Sequence, residues 1–134
     1  MNASHLGIWI VAAVLGWTGW IFLDMSRPVS KGGGSSHASA ADILHSPVPV
    51  LVEFHAEWCG PCRAVGPIVE EFAREVAASG KAKVIRIDVD TNRELASKHN
   101  VRGIPAFIVF KNGREVARQT GAIPKSEMRR LLGL

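Results

Sequence analysis

Two cysteines are present in the whole chain, and they stand three apart in Glu57-Trp58-Cys59-Gly60-Pro61-Cys62-Arg63. A bridge between them closes a very short loop and so constrains little of the unfolded chain, which makes a purely structural disulfide a poor explanation. A structural zinc site needs four ligands, and no second CxxC is available to complete one. The chemistry left to such a pair is thiol–disulfide exchange. One thiolate attacks a disulfide, and the other resolves the resulting mixed disulfide from the same molecule.

That chemistry needs a thiol that ionises easily, and the sequence puts Cys59 where a strand gives way to a helix. Its sulfur then meets the positive end of the helix dipole and backbone N–H groups with no helical partner. Lowering a thiol pKa from about 8.5 to about 7 raises the ionised fraction at neutral pH from roughly 3% to half, a differential stabilisation of about 2 kcal/mol. Cys62 follows nearly one turn later on the same side. Gly60 permits the tight turn between the sulfurs, and Pro61 stiffens an early helical position where its missing N–H costs little.

The flanking elements are legible from periodicity and turn residues. AADILHS reads as a short helix ended by Pro47 and Pro49, and VLVEF as a short strand with apolar residues on both faces. A helix from about Cys59 to Ser79 follows, with Val65, Ile68, Val69, Phe72 and Val76 at the spacings of one face and Pro67 inside it as a predicted kink. KVIRIDV is a second strand, TNRELASKHN a helix and PAFIVF a third strand. KNG is a hairpin turn into the fourth strand EVARQT, and PKSEMRRLL is an amphipathic closing helix. A βαβ opening, a hairpin and a last helix imply an α/β domain with a mixed sheet flanked by helices.

The stretches VLVEFHAEWCGPCRAVGPIVEEFA and VRGIPAFIVFKNGREVARQTGAIPK closely resemble thioredoxin over about residues 42 to 134. The resemblance implies the thioredoxin fold, here with about four strands, because SKGGG stands where the family has its first edge strand and is a poor strand former. KVIRIDV then becomes an edge, guarded by Lys83, Arg86 and Asp88. Pro105 in Gly103-Ile104-Pro105 matches the family's cis-proline, which lies beside the dithiol and helps the preceding backbone pair with a bound substrate chain. Glu53 stands where the family usually has a buried Asp that moves a proton for the second cysteine; a surface-facing strand acid is the competing reading. A carboxyl among Val52 and Phe54 should have a raised pKa. His55 replaces a common Trp, either tuning the thiols or simply packing, and Arg86 replaces a common Lys near the buried acid, where it would favour ionised Glu53.

The function so implied is reduction of protein disulfides, with Cys59 attacking, Cys62 resolving and Glu53 managing the proton. Trp58, Gly60, Pro61, Gly103, Ile104, Pro105 and Gly121 shape the substrate-binding surface. No cofactor is expected beyond the redox-active Cys59–Cys62 disulfide. The expected partners are disulfide-containing client proteins and an upstream reductase as electron donor, with the chain a monomer. Two other readings stand beside this one. The first is a dedicated periplasmic reductase for cytochrome maturation or envelope proteins, though no acidic insert around the site favours it. The second is a noncatalytic binding module or metal carrier using Cys59, Cys62 and His55.

The N-terminal third is built differently. Leu6 to Leu23 is a run of 18 residues without a charge, about 27 Å as a helix against a hydrocarbon core roughly 30 Å thick. Trp9 lies toward one end, and Trp17 with Trp20 toward the other. MNASH carries no Lys or Arg and no A-x-A site follows, so an uncleaved single-pass anchor is expected over a cleaved signal peptide or a soluble core helix. Residues 1–25 are thus the transmembrane anchor, 26–40 a flexible Gly/Ser-rich linker and 41–134 the thioredoxin domain. Arg27 and Lys31 lean the domain to the cytoplasmic face by a margin of two charges, and the periplasmic face stays open as the alternative. The formal charge of +4 is spread without a basic run interleaved with aromatics, which argues against nucleic-acid binding.

Overall fold

A computed structural model describes residues 40–134 of the chain; the expected anchor and nearly all of the linker lie outside the described residues. In chain order the elements are α1 (Ala40–Leu44), β1 (Val50–His55), α2 (Gly60–Ser79), β2 (Lys83–Asp88), α3 (Arg93–Lys98), β3 (Ala106–Lys111), β4 (Arg114–Thr120) and α4 (Lys125–Leu132). The four strands form one mixed sheet in the order β2-β1-β3-β4. β1 runs parallel to β2 and antiparallel to β3, and β3 pairs antiparallel with β4. Among the described residues β2 is an edge, as expected from the missing first strand. None of the described helices is long and apolar enough to cross a membrane.

The central strands β1 and β3 are buried on both faces, and strand alternation divides their side chains between two apolar clusters. Leu51, Phe107 and Val109 pack with Val65, Val69, Phe72 and Val76 of α2 and with Met128 and Leu132 of α4. Val50, Val52, Phe54, Ile108 and Phe110 face the other way, toward Ile43 of α1 and Ala96 of α3. Glu53 follows the same alternation as Leu51. It is therefore carried to the α2 face of the sheet, where it is fully buried.

Helix α2 starts on Cys59 as N-cap with proline in its first turn and ends on Gly80, whose φ of 66° supplies the left-handed cap. Its assigned helix runs through Pro67, which lacks the N–H that would otherwise bond the carbonyl of Arg63. Ile68, expected on the core face, is instead 39% exposed. At 100° per residue it lies about 70° round the helix from the centre of the Val65–Val69–Phe72–Val76 stripe, so one helical spacing to Val65 is not enough to bury it. Helix α3 is also shorter than expected from TNRELASKHN, ending in a cap at His99 before Asn100 turns to φ 52°.

The predicted KNG hairpin turn places Asn112 at φ 52° and Gly113 at φ 73°, the left-handed pair a two-residue hairpin requires. Gly113 is also needed for space, since a Cβ there would meet the carbonyl oxygen of Leu44 at 3.1 Å.

Candidate active site

Strand β1 ends at His55, the chain turns through Ala56–Trp58, and Cys59 enters helix α2. Cys59 holds an extended backbone, φ −82° and ψ 108°, and its Sγ accepts a hydrogen bond from the Cys62 backbone N–H at 3.3 Å. The sulfur thus occupies the capping position and takes one of the N–H groups a helix start leaves without a carbonyl. Cys59 and Cys62, 5.2 Å apart at Cα, are joined as a disulfide. Cys59 is 5% exposed and Cys62 only 1%, so an incoming chain reaches the Cys59 sulfur first. Ala56 packs with both cysteines, and Val89 and Ile104 close over them.

Ile104 brings the second predicted motif to the dithiol. The Ile104–Pro105 peptide is cis, and the Pro105 carbonyl accepts the Gly121 N–H at 2.8 Å, which ties the end of β4 to the loop beside the cysteines. Gly121 sits at φ 97°, and a Cβ on Gly103 would come within 3.3 Å of the Thr120 methyl. These residues therefore converge on one side of the disulfide. Gly60 and Pro61 form the first turn of α2, and Trp58, at 69% exposure, presents an aromatic surface next to Cys59 in the chain. Its indole N–H donates to Asp90 Oδ2 at 2.8 Å, and the Asp90 N–H donates to Asp88 Oδ1.

Beneath the cysteines, Glu53 and Arg86 are register partners on β1 and β2. Arg86 Nε donates to Glu53 Oε2 at 2.6 Å, and its Nη1 donates to Glu70 Oε1 at 2.9 Å. The other Glu53 oxygen, Oε1, is buried without a hydrogen-bond partner among the described residues. Burial pushes the Glu53 pKa up, and the Arg86 guanidinium opposes that rise without cancelling it. A cleft of about 180 Å³ is lined by Cys62, Arg63, Gly66 and Glu70 of α2, by Arg86 and by His55. Gly66 makes room for the guanidinium: a Cβ there would lie 3.2 Å from Arg86 Nη2.

Among the described residues no group of three or more His, Cys, Asp or Glu side chains is gathered as a metal site. His55 joins Cys62 on the cleft without forming a ligand set with the two cysteines.

The thioredoxin family model matches residues 35–133. Thioredoxin C-2 of Corynebacterium nephridii is 47% identical over 88 residues, covering 66% of this chain and 80% of that protein. Thioredoxin 1 of a Nostoc species is 44% identical over 91 residues, covering 68% and 83%. The chain belongs to the thioredoxin family. In three dimensions it is similar to the X-ray structure of Fasciola hepatica thioredoxin, with a TM-score of 0.58 and 37% identity over 64% of this chain and 79% of that one. A thioredoxin with its CxxC pair at bonding distance is a thiol–disulfide oxidoreductase, and this chain is one.

Within the thioredoxin frame, two residues were not singled out from the sequence. Asp90, which holds the Trp58 indole, stands two residues past the end of β2 and carries no motif of its own. Glu70 is one carboxylate on a charged helix face; its link to Arg86 joins α2 to β2 across 16 residues of sequence and has no short-range signature.

Proposed function

We propose that this thioredoxin works as a protein-disulfide reductase, with Cys59 as nucleophile, Cys62 as resolving thiol and Glu53 as the group that takes the Cys62 proton. The Cys59 sulfur at the helix cap, receiving the Cys62 N–H, carries this reading, because N–H donors at a helix start favour the anionic sulfur over the thiol. In the reduced protein the Cys59 thiolate attacks one sulfur of a client disulfide. The client S–S bond breaks, a Cys59–client bond forms, and the departing client sulfur leaves with the electron pair and takes a proton. Cys62 then gives its proton to Glu53 and attacks Cys59 Sγ. The second client sulfur is released as a thiolate, and the Cys59–Cys62 disulfide closes.

Two electrons have moved to the client, so a dithiol or flavin-type reductase upstream must return two to this disulfide. Trp58, Ile104, Pro105 and Gly121 frame the place where the client chain lies. Ile104, beside the cis-proline, packs against the cysteines, and the exposed indole precedes Cys59 in the chain, which supports that assignment.

The Gly-Pro pair between the cysteines favours the reducing end of the scale, about −270 mV, against about −180 mV for protein disulfide isomerase and about −120 mV for the strong periplasmic oxidant. Equilibrating the full chain against glutathione redox buffers measures this. A potential near about −270 mV supports a reductase, and one above about −200 mV contradicts it.

Residues 6–23 support a membrane tether, because their uncharged run is long enough to span the hydrocarbon core as a helix. Alkaline carbonate extraction of membranes checks it: the tether predicts that the chain stays in the pellet, and release into the supernatant would refute it. Protease protection of sealed vesicles then assigns the face.

A further inference from the structure

Arginine offers a fork of N–H donors that ordinarily takes a carboxylate two-handed. Arg86 does not hold Glu53 that way. Nε is bonded to Glu53, at Oε2, while Nη1 is drawn outward to Glu70 and Nη2 lies 3.2 Å from where a Cβ on Gly66 would stand. The consequence is on Glu53 itself, whose Oε1 is buried with no hydrogen-bond partner among the described residues. A buried carboxylate oxygen with no donor is costly to leave ionised, and it is the atom on which a proton is best accommodated.

Resting on the assignment of Glu53 as proton acceptor for Cys62, we propose that Glu70 is a positioning residue for this exchange: by engaging Arg86 Nη1 it keeps the guanidinium one-handed on Glu53 and leaves Oε1 free to take the proton. Glu70 sits on the outer face of α2, its side chain 57% exposed. The groups that line the cleft with it are Arg86 of β2, His55 at the end of β1, Glu57 of the loop and Arg63 about two turns earlier on its own helix. Of these, Arg86 is the one bonded to it. Without Glu70 the fork is free to rotate about Nε and present a second N–H to Oε1. A second charge-assisted bond would then hold Glu53 as the anion and occupy the atom that accepts the proton. The negative charge of Glu70 acts in the same direction, since a second carboxylate on one guanidinium opposes ionisation of the first.

The test uses the reduced full chain in four forms: wild type, Glu70→Ala, Glu70→Asp and Glu53→Gln. The readouts are the pH profile of mixed-disulfide resolution with a chromogenic aromatic disulfide and the carboxyl band of Glu53 by difference infrared spectroscopy. Glu70→Ala, which removes the acceptor of Arg86 Nη1, is expected to move the midpoint of the Glu53 band and of the resolution profile to lower pH, changing resolution about threefold or more on the slope. Glu70→Asp is expected to restore most of the wild-type profile. Because the residue is largely exposed, none of these changes depends on the fold being damaged, and unchanged urea midpoints confirm it.

An unmoved or upward-shifted midpoint in Glu70→Ala, with the wild-type ionisation abolished by Glu53→Gln, overturns the role of Glu70 and leaves that of Glu53 standing. A resolution profile that Glu53→Gln does not alter overturns the Glu53 assignment itself. In the Glu53→Gln background, Glu70→Ala is expected to change nothing further, and an effect of equal size there would show that Glu70 acts by another route.

Discussion

Replacing Glu53 with Gln removes a buried charge while keeping nearly the same shape, and its effect on stability should depend on pH in a way that a packing change would not. In the fold Glu53 is fully buried, one oxygen holds Arg86 Nε at 2.6 Å, and the other has no hydrogen-bond partner among the described residues. A hydrogen bond to a charged group contributes about 1.5 to 3 kcal/mol, whereas burying an ion costs several kcal/mol before any pairing is counted. The raised pKa says that burial prevails over Arg86. For an acid with a folded pKa above its unfolded one, the native state binds more protons across the interval between the two. Wild-type stability therefore falls as pH rises from about 4.5 to the folded value and is level beyond it. The loss is about 1.4 kcal/mol for each tenfold difference in proton affinity.

Glu53→Gln cannot ionise, so it should lack that fall. Near pH 4 it should be no more stable than wild type, since both are neutral there and Arg86 keeps an amide oxygen in place of the acid. Above neutrality it should be the more stable of the two, by a margin that opens between about 4.5 and the folded value and is constant beyond it. Urea unfolding of the oxidised full chain at half-unit steps from pH 4 to pH 9 measures the difference directly. A stability difference that is constant with pH, or one that favours wild type increasingly as pH rises, would refute the reasoning. Either result would mean that Arg86 compensates the buried carboxylate in full.

Two other sites give independent checks. Gly113→Ala forces an L side chain to φ 73° and brings its Cβ to 3.1 Å from the Leu44 carbonyl, so urea unfolding should show a loss of about 1 to 2 kcal/mol or more, and a neutral result would contradict the turn geometry. His99 lies between Phe54 and Phe110, at ring-centroid distances of 6.3 and 5.0 Å, and burial first, then Lys98 and Arg118, push its pKa down. The fold prefers the neutral ring, so stability is full above about 6.5 and declines as pH falls from there through the lowered native value. His99→Gln should flatten that part of the pH profile, and an equally steep decline in the variant would assign it elsewhere.

Much of this architecture follows from local pattern. Strand alternation in VLVEFH and AFIVFK, proline and glycine at the ends of α2, and the Asn112-Gly113 turn each act over a few residues, so the elements and their order are legible in the chain. WCGPC at a strand-to-helix junction is legible for the same reason, because the cap, the turn and the second sulfur all lie within four residues. What the sequence did not disclose depends on contacts between distant segments. Ile68 looked like a core residue because it is three positions from Val65, and only the packing of α2 on the sheet shows that the stripe passes beside it. Whether Glu53 faces inward or outward could not be read from a strand that is apolar on both faces; the partners of Leu51 and Val52 on opposite sides of the sheet decide it. The Trp58–Asp90 bond spans 32 residues and the Arg86–Glu70 bond spans 16, and neither is encoded in spacing.

The central claim is a division of labour between two sulfurs, and trapping tests it most directly. Cys62→Ser and Cys59→Ser variants of the full chain, each reduced and then offered a disulfide-containing protein such as insulin, are run on non-reducing gels and probed for thiol-linked adducts. The cap position and greater exposure of Cys59 predict that Cys62→Ser accumulates an adduct on Cys59 that dithiothreitol releases, while Cys59→Ser accumulates little or none. Equal trapping by both variants, or a stable adduct only on Cys62, would contradict the account.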